Sequence, residues 1–168
     1  MSELRYFDAP NFALQKSAVL PTARLAYRTL GTLNEAKDNA VLVTTGLTLS
    51  DDSNEMYFCG PNRALDPGKY FIILTNHLGN GRSSSPSNTP APFERARFPV
   101  VTHFDNIRLQ QLLVASFGIQ RLRLVTGWSW EQLRCFSGRR NTPTRWRPLR
   151  PSPGLLAVAS TMRFSCIR

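Results

Sequence analysis

Gly127-Trp128-Ser129 follows the apolar run at residues 121–126 (RLRLVT). A glycine-flanked serine just past a strand is the arrangement that presents a hydroxyl as a nucleophile for acyl chemistry. The complete form is G-x-S-x-G, and here Trp130-Glu131 stands where the second glycine should fall. A serine hydroxyl is a weak nucleophile, so it needs a histidine base oriented by an acid, in the chain order Ser, acid, His for this kind of turn. After Ser129 the sequence holds Glu131 and no histidine, because His77 and His103 both precede it. His103 with Asp105 is expected to be a surface histidine beside a first-turn helix acid rather than a catalytic pair. His77, at the end of an apolar run, is expected to be a loop residue near the site.

Other chemistry is weaker. Cys59, Cys135 and Cys166 are odd in number and widely spaced, which fits neither a disulfide framework nor a CxxC metal site. Cys59 is expected to be a half-buried small hydrophobe, and a reducing, cytoplasmic compartment follows. Residues 79–86 (GNGRSSSP) lack the spacing of a phosphate-binding loop, which leaves Arg82 as a solvated loop arginine.

The elements that must position Ser129 show in the hydrophobic pattern. Residues 5–14 and 23–30 read as two extended segments around a polar, proline-containing turn at 15–21, a leading hairpin. Residues 39–45 (NAVLVTT) and 70–76 (YFIILTN) are short β-branched runs, as expected of central strands buried on both faces. Phe104, Ile107, Leu109, Leu112, Leu113 and Phe117 recur at helical spacing before Gly118, and residues 121–126 form the next strand. Strand, helix, strand implies a parallel sheet covered by helices. The stretch 78–99, rich in Gly, Ser, Asn and Pro, reads as a long surface excursion.

Charge is distributed unevenly. Residues 1–132 hold 13 Lys/Arg and 11 Asp/Glu, whereas residues 133–168 hold eight Arg and no acid, which accounts for most of the net +10. The N-terminus has no apolar signal-like stretch and no run reaches the length of a membrane span, so no membrane partner is expected.

Taken together, 7–11 (FDAPN), 25–31 (LAYRTLG), 64–67 (ALDP), 70–73 (YFII), 76–79 (NHLG), 98–102 (FPVVT) and 124–129 (LVTGWS) resemble the homoserine O-acetyltransferase branch of the α/β-hydrolase superfamily. The resemblance covers about residues 4–129. It implies an α/β fold, namely the N-terminal part of an α/β-hydrolase fold with a mostly parallel central sheet and a leading hairpin, followed by an irregular C-terminal tail. It also implies Ser129 as nucleophile, with the backbone N–H groups of Leu47 and Trp130 forming the oxyanion hole. Leu49 departs from the family's glycine in that loop. Acyl-CoA is then the co-substrate and homoserine or a similar alcohol the acceptor, with no permanently bound cofactor and no metal; a homodimer is compatible with such a family. Ester hydrolysis is the nearest alternative, since the nucleophile does not specify the acceptor.

Family members continue after the serine with a segment similar to M-G-A and then F-Q-W-A-A-x-Y-P-D. Restoring one A before the Trp130 codon converts TGG-GAR to ATG-GGA, Met-Gly, and in the same shifted frame residues 136–144 permit the second segment. A one-nucleotide deletion between the codons of Ser129 and Trp130 is therefore expected, dividing the chain into 1–129, part of an α/β-hydrolase domain, and 130–168, an out-of-frame basic tail. The chain as written is expected to be inactive. The remaining alternative is a non-enzymatic protein whose arginine-rich tail binds nucleic acid or another polyanion.

Overall fold

The computed structural model describes residues 2–46 and 51–127, together with a two-residue strand at Met162–Arg163. Strands β1 (Arg5–Ala13) and β2 (Val19–Leu30) form the leading hairpin, followed by β3 (Ala40–Thr44), helix α1 (Asp51–Phe58) and β4 (Phe71–Thr75). A short 3-10 turn at Arg95–Arg97 precedes helix α2 (His103–Ser116), β5 (Arg121–Leu122), β6 (Leu124–Gly127) and β7 (Met162–Arg163). The main sheet runs β1-β2-β4-β3-β6, with β3 parallel to both β4 and β6 and the hairpin antiparallel. The small second pair is β5 with β7, antiparallel.

All five residues of β3 (AVLVT) and of β4 (FIILT) are buried, because each strand has neighbours on both edges and apolar groups on both faces. Alternate residues divide between the faces. Ala40, Leu42, Phe71, Ile73 and Val125 meet Leu109, Leu113 and Val114 of α2, while Val41, Val43, Ile72 and Leu74 pack with Cys59 and Leu65 on the other side. Each fully buried Leu or Ile contributes about 1.5–3 kcal/mol, so the two strands carry much of the core.

Helix α2 begins at a capping box. Thr102 N–H and hydroxyl each donate to Asp105 Oδ2 at 2.8 Å, and Asp105 N–H donates back to the threonine. Gln15 N–H donates to the other Asp105 oxygen at 2.8 Å, tying the hairpin turn to the helix. The helix ends at Ser116, and Gly118, just past the Phe117 cap, takes φ 70°. Its inner face carries the expected Leu109 and Leu113, with Phe117 packed beside them, but Leu112 is 45% exposed, while Asn106 and Gln110 are buried and reach the ends of the strands.

Three further expectations change. The second hairpin segment is longer than the sequence indicates, because β2 begins at Val19 and runs through Pro21; the β1–β2 ladder omits Asn11–Pro21, where proline has no N–H and Asn11 takes φ 49°. The strand expected at 121–126 breaks at Arg123, whose N–H turns to Ala40 O at 2.7 Å. The excursion at 78–99 is not all surface, since Ser83, Ser84 and Ser85 are buried. Ala26 N–H donates to Ser83 Oγ at 3.0 Å and Arg24 N–H to Ser84 Oγ at 2.9 Å, so this segment completes the edge of β2 beyond the end of β4.

Gly31, φ 75°, closes β2 against the turn before β4, and a Cβ there would stand 2.2 Å from Tyr70 O and 2.4 Å from Pro67 O. Gly31→Ala is expected to cost about 1–3 kcal/mol in urea denaturation, from strain and steric overlap together. A change within error would contradict this close approach.

Candidate active site

In a parallel sheet the carboxyl ends of the strands converge on one edge, where ligands bind. Here that edge is formed by Thr44-Thr45-Gly46 after β3, Thr75-Asn76-His77 after β4, and Gly127 at the end of β6. The β3–β6 register sets Thr44 opposite Gly127. Leu47 follows Thr44 by three residues and Ser129 follows Gly127 by two, so the two chain segments leave adjacent strands at the same edge. Leu47, Ser129 and Trp130 themselves lie outside the described residues, as does the tail apart from Met162–Arg163.

The edge is built from buried polar groups, each held by a partner as burial requires. Thr45 N–H donates to Thr75 O at 3.2 Å, and Thr45 Oγ1 lies 3.2 Å from Nδ1 of the buried His77. Gln110 Nε2 donates to Thr75 Oγ1 at 3.1 Å, and Leu78 N–H donates to Asn106 Oδ1 at 2.8 Å. His77 is thus packed into the strand ends rather than set in an open loop. Asp105 is fully buried as a helix cap, its two oxygens accepting from Gln15 N–H and from Thr102, the first-turn role expected of it.

Helix α1 was not signalled by the sequence, because it has no apolar stripe; its buried residues are Asp51 and Asn54. Polar contacts seat it instead. Asn54 Nδ2 donates to Thr44 O at 3.3 Å. Asp51 bonds Arg28 Nε on one oxygen and Arg82 Nη1 on the other, the latter at 2.7 Å. Asp52 Oδ2 accepts from Arg82 Nη2 at 2.6 Å, and Asp52 Oδ1 lies 2.6 Å from Arg28 Nη2, an ionic contact without hydrogen-bond alignment. Arg82 is therefore an ion-paired residue rather than a solvated one. A pairing with residues about thirty positions away leaves no trace in the local pattern of either segment.

The Arg82 hydrogen bond holds the Asp52 carboxyl below its ordinary range against the opposing effect of burial. Burial, followed by the Glu55 charge, pushes the Cys59 thiol up to about 11, so Cys59 is a buried thiol rather than a thiolate nucleophile. A cleft of about 540 Å³ opens between the hairpin and the loop after β4, lined by Tyr6, Arg24, Arg82, Asn88 and Phe93 among others. Thr45, His77 and Gly127 do not line it, so it is separate from the strand-end edge.

No family model matches the chain. A homoserine O-acetyltransferase of Trichormus variabilis is 40% identical over 135 residues, covering 76% of this chain and 37% of that protein. A probable esterase of Corynebacterium glutamicum is 42% identical over 118 residues, covering 69% and 34%. Among solved structures, the acetyl esterase MekB superposes with a TM-score of 0.72 at 37% identity, covering 74% of this chain and 36% of that one. The described residues are the N-terminal part of an α/β-hydrolase fold. Within that superfamily the chain is a homologue of the homoserine O-acetyltransferase-like proteins and spans about a third of the length of the curated relatives it matches. No helix among the described residues is long and apolar enough to cross a membrane.

Because the folded Asp52 carboxyl lies below its unfolded value of about 3.9, its contribution is present above that pH and is lost as pH falls through the folded value. The thermal midpoint is expected to fall more steeply below about pH 4 for the parent chain than for Asp52→Asn. Equal slopes in a pH series would contradict an ionised, paired Asp52.

Proposed function

We propose that the chain derives from an acyl-transferring α/β-hydrolase in which Ser129 is the nucleophile. The observation that carries this is the pairing of Thr44 with Gly127, which brings the segments leading to Leu47 and Ser129 out of neighbouring parallel strands, together with homology to an acetyltransferase and to esterases. In this scheme Ser129 Oγ attacks the carbonyl of a thioester such as acyl-CoA. The C–S bond breaks, the thiol leaves with a proton, and the acyl group remains on Oγ. A hydroxyl acceptor such as homoserine then takes the acyl group and returns a proton through the base. The backbone N–H groups of Leu47 and Trp130 face the charge that develops on the carbonyl oxygen, the interaction that contributes most in such chemistry.

Water as acceptor turns the same acyl-enzyme into a hydrolase. The esterase relatives and the likeness to MekB favour that second outcome for some substrates. In either case the acid and base belong to sequence that the proposed one-nucleotide deletion after Ser129 has replaced. Nucleic acid and other polyanions are not partners in this scheme, because the basic tail is a product of the shifted frame.

Inserting one nucleotide before the Trp130 codon is expected to raise p-nitrophenyl acetate turnover by at least about 10⁴-fold over the chain as written, with Ser129→Ala abolishing the gain. Product analysis with acetyl-CoA and homoserine then separates transfer from hydrolysis. Independent DNA reads that show an unbroken frame, with the intact tail found by mass spectrometry, would overturn the deletion as a sequencing error. Ester hydrolysis by the unaltered chain that Ser129→Ala removes would overturn its inactivity.

A further inference from the structure

Residues 46–50 join β3 to α1, and the described residues hold the two ends of this connection by different means. At the front, Thr45 is bonded through its N–H to Thr75 O and through its hydroxyl to His77. At the rear, Asp51 is fully buried between Arg28 and Arg82, and Asp52 meets the second arm of each guanidinium. The four groups form a closed, charge-balanced square in which each arginine touches both carboxylates. Arg28 comes from β2 and Arg82 from the loop after β4, so three segments distant in sequence meet at the first turn of α1.

Apolar packing does not define the position of the helix's first turn. Its buried residues are polar, Met56 and Tyr57 on it are 62% and 60% exposed, and its apolar packing against the core comes from Phe58 at the far end. Directional contacts must therefore do so, and the planar guanidinium fork bridges two carboxylates in a way that a lysine point charge cannot. A buried ion pair adds little net stability over an apolar one, but removing one partner strands the others without compensation, so the square resists displacement.

We propose that Arg28, Asp51, Asp52 and Arg82 form an ionic latch that sets the first turn of α1 against β2 and the loop after β4, next to the Thr44 carbonyl that accepts from Asn54. The latch does not depend on the acyl-transfer scheme.

Hydrogen–deuterium exchange on the full chain tests it. In Arg82→Ala, amides of residues 51–58 are expected to exchange at least about tenfold faster, with α2 and β1–β2 unchanged. Arg82→Lys restores part of the protection, and about 50 mM guanidinium chloride, far below denaturing levels, restores most of it to Arg82→Ala by refilling the square. Unchanged exchange in α1 would overturn the latch. So would a loss spread equally over α2, or one that guanidinium does not reverse. If Arg82→Ala fails to fold, the near-isosteric Asp52→Asn, which removes the charge but keeps the shape, is expected to show the same local loosening, and its absence counts against the latch. Ser129 chemistry plays no part in this readout, so failure of the acyl-transfer scheme would leave the exchange pattern intact.

Discussion

Parallel pairing of β3 on both of its edges is the constraint from which the rest of the structure follows. With β4 on one side and β6 on the other, this five-residue strand is paired along both edges, and its four apolar side chains enter one core or the other. A slip of one residue would exchange the two faces, moving Leu42 and Ala40 away from α2 and Val41 and Val43 away from Cys59 and Leu65. The register is therefore fixed by burial. Once it is fixed, so is the place where β3 and β6 end, and hence the edge from which the segments bearing Leu47 and Ser129 depart.

The two ends of this sheet differ in chemistry. Its middle is aliphatic, whereas its carboxyl end holds Thr75, Asn76, His77, Asn106 and Gln110, all buried and all bonded. Such groups cost free energy to bury unless paired, and here the pairing joins α2, β3, β4 and the following loop into one polar floor. The serine-rich segment adds to this. Its hydroxyls accept from β2 N–H groups that β4 is too short to reach, so an irregular segment does the work of a strand at that point.

Relatives that transfer an acetyl group and relatives that hydrolyse esters match the chain at similar identity. That is physically reasonable for this third of the fold. A strand-end edge and a nucleophile turn are common to both reactions, and the choice between alcohol and water is made by whatever controls access to the acyl-enzyme.

The sequence by itself determined the elements whose pattern is local. Two β-branched runs became β3 and β4, the apolar spacing from Phe104 to Phe117 with Gly118 after it marked α2, and many short motifs in order carried the family resemblance. Tertiary structure alone decided what depends on distant partners. Helix α1 has no apolar periodicity to announce it, and its first turns are seated by Arg28, Arg82 and Thr44; Ser83 and Ser84 are buried because they accept from β2 N–H groups that β4 does not reach; Leu112 faces solvent while Gln110 faces in, where it donates to Thr75. Hydrophobic period is a property of a segment, but a hydrogen bond or ion pair is a property of two segments. Only folding brings the second one near.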